Sequence, residues 1–159
     1  MRIKKIMVPL DGSEVAEFAL VDAFDLAARE WGVVVLMRAA EAHVLPGRDP
    51  IQAQIDAVSE AEKYLAALTA TLEGRGIQNV EGHVWYGPPA HSIIEAAETY
   101  KVDLIVMTTH GRSGFGRLVF GSVAESVLRG TKIPIFLRRP SEAPLDLPAA
   151  TTQPKEVLR

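Results

Sequence analysis

The chain has 159 residues, 48% hydrophobic, 23% charged and 6% aromatic, with no cysteine and a formal net charge of -3. That length suits one domain with a substantial core, the acidic balance gives no support for binding nucleic acid or an anionic membrane, and the lack of cysteine excludes disulfides and thiol catalysis. No apolar stretch approaches the roughly 18 residues that span a bilayer, and the basic start runs into five apolar residues, Ile6 to Leu10, too few for a signal-peptide core; a soluble, cytoplasmic protein is expected.

Residues 3–10, β-branched and apolar, are predicted as the first strand, and the chain leaves it through the polar stretch PLDGS. Ser13 suits an N-cap, and Val15, Ala19, Ala23 and Ala27 then share one helical face, with Phe18, Leu26 and Trp31 beside it. Residues 33–40 form the next predicted strand. The second helix is the best marked: Asp49 caps it and Pro50 suits its first turn. Ile51, Ile55, Val58, Leu65, Leu68 and Leu72 recur along it at helical spacing, and Gly74 and Gly76 end it. A strand over 79–86 leads to a helix started by Pro88 and Pro89, with Ile93, Ile94 and Ala97 facing inward. A strand over 102–108 leads to a helix started by Gly121 and Ser122, with Val123, Val127 and Leu128 as its apolar face, and a last strand covers 132–138.

Runs such as VVVLM and DLIVM are continuously apolar rather than alternating. That pattern belongs to strands covered on both faces, as in parallel sheets. The order βαβαβαβαβ with right-handed crossovers therefore gives an α/β fold: a five-stranded parallel sheet with helices on both faces. Ligands of such sheets bind beyond the carboxyl ends of the strands, where the strand order reverses. The exits to inspect are PLDGS and TTHGRSG, after the first and fourth predicted strands. After Pro140 the periodicity fails and prolines recur, so residues 140–159 are read as a tail on a domain of residues 1–139.

The stretch TTHGRSGFGRLVFGSVAES places Gly111, Gly114, Gly116 and Gly121, with Arg112 and Arg117, between two apolar runs. Glycine loops bring backbone N–H groups close to phosphate oxygens, and a helix N-terminus adds unpaired donors and partial positive charge. The motif is neither a Walker A loop nor a dinucleotide fingerprint. Two readings stand: a phosphate cradle, or a surface loop with solvated arginines.

IMVPLDGSE, the segment from GPPAHSIIEAAETYKVDLIVM through SVAESVL, and the closing IPIFLRR resemble the universal stress protein family over about residues 2–139. The nucleotide-binding members carry G-x-x-G, nine residues, then G-[ST]; here Gly111, the nine residues 112–120, and Gly121-Ser122 fit that frame, and Thr108 stands where the first glycine belongs. The resemblance implies a Rossmann-like fold of the adenine nucleotide alpha hydrolase-like type and an ATP or AMP ligand, with or without magnesium. By the same resemblance, Pro9 and Asp11 border the nucleotide, with Asp11 on the ribose or a hydrated metal. The backbone of Ala39 reads adenine, Arg38 stands beside it where the family often has histidine, and Met107 lines the base pocket. Thr108 and Arg112 adjoin the phosphates, which the N–H groups of Gly111, Gly114, Gly121, Ser122, Val123 and Ala124 receive. Read from the residues alone, Asp11 equally suits a helix cap alongside Ser13, and Met107 equally suits a buried strand position.

Only His110 and Asp11 present themselves as bases, and His43, His83 and His91 are scattered without metal-ligand spacing. The expected role is a regulatory nucleotide-binding module rather than a dedicated enzyme. The alternatives are a family member acting without nucleotide through protein contacts, and a slow magnesium-dependent ATPase. An uncovered last strand is a template for pairing, and in the family it commonly pairs with a second subunit. A homodimer through Ile133, Ile135 and Leu137, with the tail lying across it, is therefore expected, together with an unidentified protein partner. The competing reading is an edge covered by the chain's own tail.

Overall fold

The computed structural model describes residues 2–109, 121–140 and 143–150. Strands β1 (Lys5–Leu10), β2 (Val33–Ala40), β3 (Val80–Tyr86), β4 (Leu104–Thr108) and β5 (Ile135–Arg138) alternate with helices α1 (Glu14–Ala28), α2 (Pro50–Gly74), α3 (Pro89–Thr99) and α4 (Ser122–Gly130). Every pairing is parallel and the sheet order is β3-β2-β1-β4-β5. The fold is thus the five-stranded parallel α/β sheet that the apolar runs predict.

Alternation along the strands divides the core between the two faces. Ile6, Val8 and Leu10 of β1 pack with Ala19, Leu20, Ala23, Leu65, Leu68 and Leu72 of α1 and α2. Met7 faces the other way and joins Met37, Ile105, Ile93, Ala97 and Val127, on the side of α3 and α4. Both sides of β1 are buried, which is why its sequence lacks a polar phase. At its amino end the Asp103 carboxylate accepts the backbone N–H groups of Lys4 and Lys5 at 2.8 and 2.9 Å. That bond pair seats β1 against β4.

Several expected positions differ. Trp31 does not join the core: it lies beyond α1 in a left-handed conformation (φ 53°) and is 77% exposed. Ile51 and Ile55 continue the apolar spacing of α2, yet both are exposed, because the first turns of this 25-residue helix project past the sheet. Leu128 is exposed while Ala124 and Val127 are buried, so the apolar face of α4 is rotated from the predicted one. The ladder of β5 begins with the Pro134 carbonyl, which accepts from Ile105; Ile133 sits in a turn closed by the Thr131 hydroxyl.

Within the described tail, residues 146–150 bond to Arg75, just after α2. The Arg75 guanidinium donates to the carbonyls of Leu147 and Pro148 and to the Asp146 carboxylate, and the Ala150 N–H returns to the Arg75 carbonyl at 2.9 Å. Gly76, at φ +88°, makes the close approach possible: a Cβ there would lie 2.9 Å from that of Ala150. Leu147 adds apolar contact with the α1–α2 side of the core.

The burial pattern separates two leucines that the sequence pattern treats alike. Leu72→Ala is expected to cost about 2–5 kcal/mol in a urea titration, by the transfer and cavity terms of a buried leucine. Leu128→Ala is expected to stay within about 0.5 kcal/mol of the parent. Equal losses would contradict the assigned face of α4.

Candidate functional site

Because β1 and β4 are neighbours, the chain leaves them toward opposite faces of the sheet, α1 to one side and α4 to the other. A hollow of about 420 Å³ opens at that divergence. Pro9, Asp11, Ala39, Met107, Thr108, Gly121, Ser122, Val123 and Ala124 all line it. Gly111, Arg112 and Gly114, and with them His110, lie outside the described residues. Ile133, Ile135 and Leu137 are elsewhere, partly buried against their own chain's α3–α4 core, while Phe136 is exposed on the opposite face of β5.

The turn after β1 is tightly specified. Gly12 takes φ +88°, which a side chain rarely tolerates. Ser13 then caps α1, its hydroxyl oxygen accepting the Ala16 N–H at 3.2 Å. Asp11 Oδ1 accepts both the N–H and the hydroxyl of Ser13, at 2.9 and 2.6 Å. Among the described residues Oδ2 has no hydrogen-bond partner, so Asp11 holds the turn with one oxygen while the residue lines the hollow.

Two chemistries meet in the lining. Met37, Ala39, Met107, Pro9 and Ile93 form an apolar slot. Opposite it, α4 begins at Gly121 with no side-chain cap, and among the described residues nothing accepts the N–H groups of Ser122, Val123 and Ala124. Those donors and the helix dipole favour an anion. Asp11 is the one carboxylate and Arg38 the one cation in the described lining. Two hollows of about 560 and 470 Å³ lie between α2 and β3, away from the exits of β1 and β4, where the strand order reverses and this architecture binds ligands.

The sequence reading missed Leu10, Ala16, Met37, Pro89 and Ile93 as lining residues. Met37 was accessible by alternation, since it shares a strand face with Ala39. Pro89 and Ile93 enter only because α3 returns across the end of β2, a tertiary fact without local signal. Arg38 is also more deeply engaged than its neighbour position suggested: its Nη2 bonds Glu60 Oε1 at 2.6 Å, and its Cζ lies 5.0 Å from the Tyr64 ring centroid. The Tyr64 hydroxyl donates to Glu17 at 2.7 Å; burial first, then that hydrogen bond and the Glu17 charge, push its pKa far up and keep it neutral.

Ser13→Ala removes the cap bond and the hydroxyl partner of Asp11 together, leaving only the backbone N–H on Asp11 Oδ1. It is expected to cost about 0.5–2 kcal/mol in a urea titration; an unchanged midpoint would contradict the capping role.

Comparison with known proteins agrees with this architecture. The model of the universal stress protein family matches residues 2–139. A universal stress protein of Methanocaldococcus jannaschii is 31% identical over 139 residues, covering 84% of this chain and 81% of the relative. The crystal structure of a universal stress protein in complex with cAMP superposes with a TM-score of 0.68 at 22% identity, covering 89% of this chain and 100% of that one. A universal stress protein family protein from Arabidopsis thaliana, with AMP bound, gives 0.63 at 12% identity, covering 87% and 93%. The sheet order, the family match and the similarity to the Methanocaldococcus relative place this chain in the universal stress protein family.

Proposed function

We propose that the hollow at the ends of β1, β2 and β4 binds an adenine nucleotide, ATP or AMP, and that the protein acts in the cytoplasm as a regulatory dimer. The observation that carries this reading is the division of one hollow into an apolar slot and an uncapped helix N-terminus. A flat base fits between Met37, Ala39 and Met107, with edge hydrogen bonds to the β2 backbone. A phosphate suits the N–H groups at the start of α4, which have no acceptor among the described residues. Asp11 Oδ2 faces the ribose between them. The family frame assigns Gly111, Arg112 and Gly114 to the same phosphates. The cAMP and AMP complexes of two structural relatives support the ligand class.

Magnesium fits only as part of a nucleotide complex. It is commonly held by one or two carboxylates together with phosphate oxygens, and the described lining offers Asp11 alone. The same single carboxylate, already engaged by Ser13, argues for binding over efficient hydrolysis. Slow ATP hydrolysis is the weaker alternative. Thr108 favours a second reading, a member without nucleotide that works through protein contacts, because its side chain enters the wall where the family has bare backbone.

The dimer we propose uses the outer edge of β5, whose ladder partner among the described residues is β4 alone. Its backbone groups are the contact, with Ile133, Ile135 and Leu137 supporting it from behind. Sedimentation equilibrium at micromolar concentration is expected to give twice the 17.3 kDa chain mass; a single-chain mass would overturn this.

Calorimetric titration with AMP and ATP tests the site. Gly121 has φ −55°, so Gly121→Val is conformationally permitted and mainly adds bulk at the helix start. The variant is expected to lose at least about tenfold in affinity, roughly 1.4 kcal/mol, with melting temperature and sedimentation mass unchanged. Unaltered affinity would show that the phosphates do not sit at α4. If the parent binds neither nucleotide and Thr108→Gly restores binding, the contact-only reading is supported.

A further inference from the structure

Arg38 has an unusual setting for a residue at a site mouth. Its side chain is only 15% exposed, although it carries a charge and stands at the carboxyl end of β2. Its guanidinium packs directly on the turn after β1: a Cβ on Gly12 would lie 3.2 to 3.4 Å from Nη1, Cζ and Nη2. The same group touches the Tyr64 ring and donates to Glu60, both on α2. Tyr64 in turn donates to Glu17 on α1, the helix that the turn introduces. Arg38 therefore connects β2, α2 and the Asp11–Gly12–Ser13 turn at one point.

The ion pair does not explain this placement. Glu60 is 72% exposed, so the pair is largely screened by water. What the site uses is shape. A guanidinium is planar and rigid and stacks against flat surfaces, whereas a lysine ammonium is a point charge that cannot cover the Gly12 backbone and the tyrosine ring together. Gly12 supplies the matching flatness, having no side chain to hold the guanidinium away. The turn it stabilises carries Asp11, whose Oδ1 is fixed by Ser13 and which lines the hollow.

We infer that Arg38 is a positioning residue: its guanidinium is the shelf that fixes the Gly12 turn, and through it the direction of the Asp11 carboxylate toward the nucleotide's ribose. The inference rests on the nucleotide reading for its consequence but not for its geometry. It also implies that Arg38 does not contact the ligand.

Arg38→Ala and Arg38→Lys separate shape from charge, and two measurements separate the inference from the nucleotide reading. Amide hydrogen exchange on the protein without added ligand is expected to speed up at Ser13 and Ala16, whose N–H groups are bonded within the turn, by about tenfold or more in both variants, with Val34 to Leu36 unchanged. AMP affinity by calorimetry is expected to fall about tenfold in both variants, and to show no further fall when Arg38 is changed in an Asp11→Ala background. Unchanged exchange at the turn, or full rescue by lysine, overturns the shelf. An equal loss of affinity with and without Asp11 overturns the route through Asp11 and makes Arg38 a direct contact. A parent protein that binds no AMP sinks the nucleotide reading, while the exchange data still decide whether Arg38 orders the turn. Should the alanine variant fail to fold, the lysine variant carries both measurements.

Discussion

The structure depends on one topological constraint: β1 and β4 lie side by side, but the helices that follow them pack on opposite faces of the sheet. Backbone leaving two adjacent parallel strands in opposite directions cannot close over the gap between them, so a crevice is built into the connectivity. The residues around it have left the core alternation of the strands and are free to be polar, small or conformationally unusual. Asp11, Gly12, Thr108 and Gly121 are where the chain uses that freedom. The deeper wall, from Met37 and Met107, is still core, and it supplies the apolar half of the lining.

The fold was legible where burial leaves no choice. Ile6 to Leu10 and Val34 to Met37 are continuously apolar because helices cover them from both sides, and the caps at Ser13 and Asp49 mark helix starts through their own side-chain bonds. Legibility failed where an apolar residue has nothing to pack against. Ile51 and Ile55 carry the periodicity of α2 beyond the reach of the sheet, Trp31 lies past the end of α1, and Leu128 borders a face that α4 does not bury. Periodicity reports which residues share a side, not how far the covering layer extends.

The site was legible in part for a different reason. Its turn and helix-start residues carry local signals: a glycine with positive φ, an aspartate two residues before a cap, a glycine–serine pair opening a helix. The contributions of Pro89, Ile93 and Arg38 come from elements that meet only in three dimensions. So does the anchor at the other end of the sheet, where Arg75 gathers the carbonyls of Leu147 and Pro148 although about 70 residues separate them. The two arginines show the same economy of form at opposite poles. Each presents a planar, multidonor group to backbone that would otherwise be held loosely, one at the tail and one at the turn beneath the site.

The proposed nucleotide site is the crevice between the exits of β1, β2 and β4. Amide chemical shifts of the isotope-labelled protein, followed during titration with AMP, locate the ligand residue by residue. Saturable shifts are expected at Asp11 to Ser13, Ala39 and Gly121 to Ala124, with little change along α2. No shifts at millimolar AMP or ATP, or shifts centred on the hollows between α2 and β3, would contradict it.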